Sequence, residues 1–200
     1  MSQRFLIYGA TGYTGKLIAS EAKARGESPI LAGRNPTKLE AVAQPLGYQS
    51  RPVTLGDGKE LRRALEDVAC VLHVAGPFSA TARPMLEACL ETGTHYLDVT
   101  GEIDVFEHAA SLDERAREAG VMLLPGCGFD VVPSDCLAAW VAQQVELPQR
   151  LRLAISAGGA ASRGTTKTAL ESIGEGTRVR RGGEIVSLPA GSLTRKFCLL

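Results

Sequence analysis

Three glycines at a fixed spacing carry the first chemistry in this sequence. Residues Gly9-Ala10-Thr11-Gly12-Tyr13-Thr14-Gly15 follow the apolar run Phe5-Leu6-Ile7-Tyr8 and open a helical pattern. The G-x-x-G-x-x-G spacing is a relative of the dinucleotide fingerprint. Gly9 permits a tight exit from a strand, Gly12 removes the Cβ that would keep backbone amides from a pyrophosphate, and Gly15 lets the helix pack closely on the strand. The helix N-terminus supplies free N–H groups and partial positive charge. Thr11 and Thr14 add hydroxyl donors. The competing reading is a plain glycine-rich turn, and the strand before and helix after argue against it.

About 20 residues further on, an NAD site carries an acid that holds the ribose 2′-hydroxyl. Here the sequence reads Leu31-Ala32-Gly33-Arg34-Asn35, with no carboxylate. A guanidinium at Arg34 pairs with a 2′-phosphate and stacks on adenine. NADP(H) is therefore expected over NAD(H). Lys38, one turn into the next helix, adds charge. The alternative for Arg34 is a solvated turn residue.

Three later strand ends are chemically rich. The first is Val74-Ala75-Gly76-Pro77-Phe78, whose small residues and rigid proline let backbone run beneath a nicotinamide ribose. The second is His95-Tyr96-Leu97-Asp98-Val99-Thr100-Gly101-Glu102. The third runs from Leu124-Pro125-Gly126-Cys127-Gly128-Phe129-Asp130 to Asp135. Asp98 either serves the site or orients backbone amides. Glu102 either serves it or is a first-turn helix carboxylate favoured by the dipole. Ser134 and Asp135 read most simply as first-turn residues, and Cys127 as a small buried residue. Asp130, with a proline three residues later, is poorly placed as a cap and is the candidate for the substrate side. The histidines lack metal-ligand spacing, so no metal site is expected.

These residues need a frame of parallel strands. Short apolar runs alternate with amphipathic ones, which is the α/β signature. Strands are expected at 4–8, 29–32, 51–54, 68–74, 95–99 and 121–124. Helices are expected at 12–25, 36–45, 58–66, 80–92, 102–119 and 133–145. The last but one carries Val105, Ala109, Leu112 and Ala116 on one stripe. The fold class is a Rossmann-type doubly wound parallel sheet over residues 1–150, followed by the start of a second mixed α/β domain at 151–200. In that second part, a helix after Ser162 running through Ile173, and a strand at 184–188 after the Gly182-Gly183 turn, are expected. About 50 residues make a poor independent domain, so this substrate or dimerisation domain is expected to be cut short.

Composition narrows the function classes. The chain has 200 residues, 44% hydrophobic and 22% charged, with a net charge of zero. Residues 1–150 carry −5 and residues 151–200 carry +5. The basic residues are scattered and aromatics are 5%, which argues against nucleic-acid binding. The five cysteines form no C-x-x-C pair, and a reduced, cytoplasmic setting is expected. No stretch approaches the roughly 20 apolar residues of a spanning helix. No Tyr-x-x-x-Lys occurs: the residues four after Tyr8, Tyr13, Tyr48 and Tyr96 are Gly12, Leu17, Pro52 and Thr100. The catalytic pair of ordinary short-chain dehydrogenases is absent.

Together, Gly9–Gly15, Ala32-Gly33-Arg34, Ala75-Gly76-Pro77-Phe78, His95–Glu102 and Pro125–Asp130 resemble the saccharopine dehydrogenase-like oxidoreductases, a group that includes trans-acting enoyl reductases. The likeness runs from residue 4 to about 175. It implies an NADP-binding Rossmann domain, then a mixed substrate domain, in a chain nearly twice this long. It implies hydride transfer to an enoyl or imine substrate, with lipid or acyl molecules among the candidates. A homodimer and peripheral membrane contact are left open by it. The rival readings are a non-catalytic NADP-sensing regulator and a lipid-associated scaffold.

Overall fold

The computed structural model describes residues 4–155, 166, 176–194 and 196. It divides into two compact units, Met1–Ala157 and Gly158–Leu200. The first begins with β1 (Phe5–Tyr8), α1 (Tyr13–Ala24), β2 (Ile30–Gly33), α2 (Pro36–Leu46) and β3 (Ser50–Pro52). After these come α3 (Gly58–Leu65), β4 (Cys70–His73), α4 (Phe78–Thr92) and β5 (His95–Asp98). It ends with α5 (Ile103–Ser111), α6 (Asp113–Ala119), β6 (Leu123–Leu124) and α7 (Val132–Gln143).

The six strands form one sheet in the order β3-β2-β1-β4-β5-β6, every pair parallel. This is the doubly wound order, and the strand order reverses between β1 and β4. The register Tyr8↔His73↔Asp98 lines up three strand ends on one row. Because successive side chains alternate faces, Leu6 and Tyr8 go to one side and Ile7 to the other. The first side holds the larger core, with Val71, Tyr96, Leu61, Leu65, Met85, Leu86, Val105 and Ala109. The second packs Ile7 and Leu31 against Ala19 of α1 and Leu39 and Ala43 of α2. Fully burying one such large apolar side chain stabilises the fold by about 1.5–3 kcal/mol.

Local signals set the helix starts. Asn35 caps α2, its Oδ1 accepting from the Lys38 amide at 2.9 Å, with Pro36 at the first helical position. Asp57 caps α3 by accepting from the Glu60 amide at 3.0 Å. These caps satisfy amides that a helix leaves unpaired.

The structure departs from the sequence expectation in three places. The single helix expected over 102–119 is two, broken at Leu112, whose φ and ψ are −95° and 5°. The Leu112 amide bonds to Ala109 three residues back rather than four. Val105, Ala109, Leu112 and Ala116 are all buried across the break. The helix expected from Ala80 begins two residues earlier at Phe78. In the second unit, β8 (Glu184–Leu188) forms as expected, and its partner β7 (Thr177–Arg181) was not foreseen. The two strands make an antiparallel hairpin around Gly182 and Gly183, both at positive φ, as a two-residue hairpin turn demands. The helix expected through Ile173 lies outside the described residues, Thr166 excepted.

Candidate functional site

A parallel sheet sends all its strand ends to one edge, and that edge gathers the candidate residues. The loop after β1 turns at Gly9, with φ +94°. The Gly9 and Ala10 amides both donate to the Ala32 carbonyl, at 2.9 and 3.3 Å, which ties the loop to β2. A Cβ on Gly9 would lie 2.9 Å from the Ala75 Cβ, so the Gly9–Gly15 loop and the β4 loop touch where the strand order reverses. A Cβ on Gly15 would collide with the Gly9 carbonyl and lie 2.7 Å from the Ala10 Cα. Gly15 is what lets α1 sit on the strand.

Gly12 caps α1 without a side chain, and the first helical bond runs from the Lys16 amide to the Gly12 carbonyl at 3.1 Å. The amides of Tyr13, Thr14 and Gly15 precede that bond and are the helix's orphan donors. Gly12, Tyr13 and Thr14 are exposed and Thr11 half-buried, while Ala10 belongs to the core. This cradle, open at Gly12 and backed by amides, fits a pyrophosphate. Arg34 is exposed at the end of β2, and its charge acts on the Tyr8 hydroxyl, which donates to the Val53 carbonyl at 3.3 Å. Burial raises the Tyr8 pKa and Arg34 offsets part of that rise. Gly33 is buried, and an added Cβ would meet only Leu39 at 3.9 Å; its carbonyl accepts from Val53.

Ala75, Gly76 and Pro77 form the turn after β4, with a cis Gly76–Pro77 bond. Gly76 is exposed, and Ala75 and Pro77 half-buried. Phe78 is different. Its ring is buried edge-on against His73, with centroids 5.4 Å apart, so at this position only backbone faces the strand-end edge.

Asp98 is the hub of the next two loops. Its Oδ1 accepts from the amides of Thr100 at 2.9 Å and Gly126 at 2.8 Å, and its Oδ2 from the Tyr96 hydroxyl at 2.6 Å. Burial lifts its pKa, while these three donors pull it down and leave a net rise. Asp98 therefore orients backbone rather than meeting a ligand. The Cys127 amide and thiol both donate to the Asp98 carbonyl at 2.8 Å. Burial and the Asp98 charge push that thiol's pKa up, which disfavours the thiolate a nucleophile needs.

Asp130 is exposed, and its carboxylate folds over two glycines. A Cβ on Gly101 would lie 2.8 Å from its Oδ2, and one on Gly128 3.1 Å from its Oδ1. It thus sits between the β5–α5 and β6–α7 loops. Ser134 uses its hydroxyl on the Val131 carbonyl at 2.8 Å, an ordinary helix-start bond. Glu102 precedes α5 as its cap residue, and its side chain reaches a different helix. Its Oε1 accepts from the Phe78 amide at 3.0 Å and its Oε2 from the Ser79 amide at 2.6 Å, so it caps α4 from across the site.

Sequence reasoning did not single out Thr81 and did not connect His73 to the site. Thr81 Oγ1 lies 2.7 Å from the Ala75 carbonyl, 2.9 Å from that of Pro77, and 3.1 Å from His73 Nε2. The spacing Thr81 to Pro77 is a helical i, i−4 step, the only trace of this arrangement in the sequence. Among the described residues no group of His, Cys, Asp or Glu could hold a metal ion, and no helix is long and apolar enough to cross a membrane.

Known proteins converge on the same region. Residues 5–124, more than half of the chain, match the family model of the saccharopine dehydrogenase NADP binding domain. A saccharopine dehydrogenase-like oxidoreductase of Arabidopsis thaliana is 34% identical over 150 residues, covering 65% of this chain and 32% of that protein. A trans-acting enoyl reductase of Mycobacterium tuberculosis is 33% identical over 138 residues, covering 65% and 33%. The chain thus spans about a third of the length of these relatives. Among solved structures, the apo L-Glu-forming saccharopine dehydrogenase of Saccharomyces cerevisiae superposes with a TM-score of 0.62 at 16% identity, over 71% of this chain and 31% of that one. That likeness is one of fold.

Proposed function

The chain belongs to the saccharopine dehydrogenase NADP-binding domain family, and from that premise we propose that it is the cofactor-binding part of an NADP(H)-dependent reductase acting on an enoyl or imine substrate. The observation that carries this reading is the cradle built by Gly9, Gly12 and Gly15, with Arg34 at the neighbouring strand end and no acid beside it. The enoyl alternative draws support from the mycobacterial relatives, whose names state that activity. The imine alternative draws support from the saccharopine dehydrogenase family itself.

When bound, NADPH supplies the hydride, and the protein's task is binding, orientation and electrostatics. The orphan amides of Tyr13, Thr14 and Gly15, with the Thr11 and Thr14 hydroxyls, hold the pyrophosphate. Arg34 holds the 2′-phosphate. The backbone of Ala75, Gly76, Pro77 and Phe78 lines the nicotinamide ribose. Asp130, reaching over Gly101 and Gly128 from the opposite loop, faces the substrate side. A small molecule of acyl or lipid type is the proposed substrate, and homodimer formation and peripheral membrane contact are further expectations of the whole protein.

Titration calorimetry with NADPH and NADH tests this. NADPH is expected to bind at least about tenfold more tightly, roughly 1.4 kcal/mol, and Arg34→Ala to erase the gap. Failure of both nucleotides to bind would sink the reading.

A further inference from the structure

The turn between β4 and α4 is gripped from two sides, by Thr81 from its own helix and by Glu102 from the next loop. From within α4, Thr81 Oγ1 reaches the carbonyls of Ala75 and Pro77 at 2.7 and 2.9 Å. From the β5–α5 loop, the Glu102 carboxylate takes the amides of Phe78 and Ser79 at 3.0 and 2.6 Å. Two carbonyls of the turn are thereby fixed by a donor and two amides by an acceptor. Pro77, the cap residue of α4, has no side-chain acceptor of its own, so Glu102 supplies the acceptor a helix start needs.

The buried His73 explains why Thr81 holds its hydroxyl in this direction. A hydroxyl has one proton. With that proton directed at the turn carbonyls, Thr81 Oγ1 accepts from His73, which fixes a proton on Nε2. His73 Nδ1 is then a buried lone pair, and among the described residues it has no hydrogen-bond partner. Leaving such a group unpaired is unfavourable. The rings of Tyr8, Phe78 and Tyr96 surround His73, with centroids 5.4, 5.4 and 6.1 Å away, and a leucine would fill that space without the penalty. What the imidazole adds is a donor beneath Thr81.

We propose that Thr81 and Glu102 are positioning residues that clamp the Ala75–Ser79 turn in the shape that receives the nicotinamide riboside, with His73 orienting Thr81. The proposal rests on the reading of that turn as the nicotinamide side of the site. It separates the two halves of the cofactor. Arg34 and the adenosine half lie on the β1–β3 side, and the clamp lies on the β4–β5 side. Losing the clamp therefore weakens only ligands that carry the nicotinamide riboside.

Equilibrium binding of NADPH and of adenosine 2′,5′-bisphosphate, which lacks the nicotinamide riboside, tests this on wild type, Thr81→Val, Thr81→Ser and Glu102→Gln. Thr81→Val is expected to weaken NADPH by roughly tenfold or more and to leave the bisphosphate within about twofold. Thr81→Ser, which keeps the hydroxyl, should restore NADPH to within about threefold of wild type. Glu102→Gln, which keeps one acceptor of two, should show the same selective loss more weakly. The bisphosphate reports that each variant is folded, and Glu102→Gln carries the comparison if Thr81→Val fails to fold. Equal weakening of both ligands, or NADPH binding unchanged in Thr81→Val and Glu102→Gln, overturns the clamp while leaving the cofactor site standing. A wild-type protein that binds neither ligand overturns the site itself, and the clamp with it.

Discussion

The Tyr96 hydroxyl donates to Asp98 Oδ2 at 2.6 Å, and both side chains are wholly buried, two residues apart on one face of β5. This bond joins the sheet core to the loops that frame the candidate site, because the other carboxylate oxygen holds the Thr100 and Gly126 amides. Burial pushes the tyrosine's own pKa far up, with the Asp98 charge adding to the rise, so the hydroxyl stays protonated and a donor at any working pH.

Tyr96→Phe removes that donor and leaves a buried carboxylate short of one partner. It is expected to cost about 1–3 kcal/mol in urea unfolding at pH 7. It also removes one of the interactions that lower the Asp98 pKa, so the carboxyl rises further. Once Asp98 is protonated the missing donor matters less. The loss should therefore shrink in unfolding curves taken near pH 4, and a loss that is the same at both pH values would contradict this account.

His73 gives the fold a dependence on pH with a definite sign. Burial depresses its pKa from 6.5 to about 3. Between those values the unfolded chain binds a proton that the folded chain refuses, so stability is full above pH 6.5 and falls as pH drops toward 3. Asp98 works the other way. Its raised folded pKa gives stability that is present below 3.8 and is lost as pH rises through the folded value. In thermal melts between pH 6.5 and 5, wild type should lose stability more steeply than His73→Phe. Parallel curves would show that His73 is not held neutral.

The two glycines of the cradle should respond differently to an added methyl. Gly15→Ala drives a Cβ into the Gly9 carbonyl and the Ala10 backbone, and overpacking of this kind costs about 1–3 kcal/mol. Gly12 has φ −75° and ψ 172°, which alanine adopts freely, and its Cβ would meet only the Gly9 carbonyl at 3.3 Å. Gly12→Ala should melt close to wild type yet bind NADPH more weakly, because the methyl stands where phosphate approaches the amides. Equal melting temperatures for the two variants would refute the distinction.

Asn35→Ala removes the α2 cap and should lower stability by about 1 kcal/mol in chemical denaturation. Asn35→Asp keeps an acceptor for the Lys38 amide and should stay near wild type. A neutral effect of Asn35→Ala would mean that the 2.9 Å bond adds nothing to the helix start.

Much of this protein was legible along the chain. The strand-glycine-helix opening, the absent acid beside Arg34 and the alternation of elements lead to a doubly wound NADP-binding sheet, because they depend on residues close in sequence and on backbone rules that hold anywhere. Orienting amides was one of two readings open for Asp98, and it is the one the geometry favours; Cys127 read as a small buried residue and is instead half-buried. The break at Leu112 was not legible, since apolar spacing continues unbroken across it.

What the sequence determined by itself was local: where the amides of α1 lie unpaired, where a Cβ is forbidden, which charge stands at the end of β2. What the tertiary structure alone decided was which distant groups complete one another. Glu102 reads as a residue of its own helix, and it caps α4, 23 and 24 residues earlier in the chain. His73 reads as one polar residue in an apolar strand, and it orients Thr81. The reason is that a hydrogen bond between elements has no period in sequence. Its partners meet only when parallel strands bring their ends to one edge, and there a buried donor or carboxylate must find its complement in whichever loop the sheet order sets beside it.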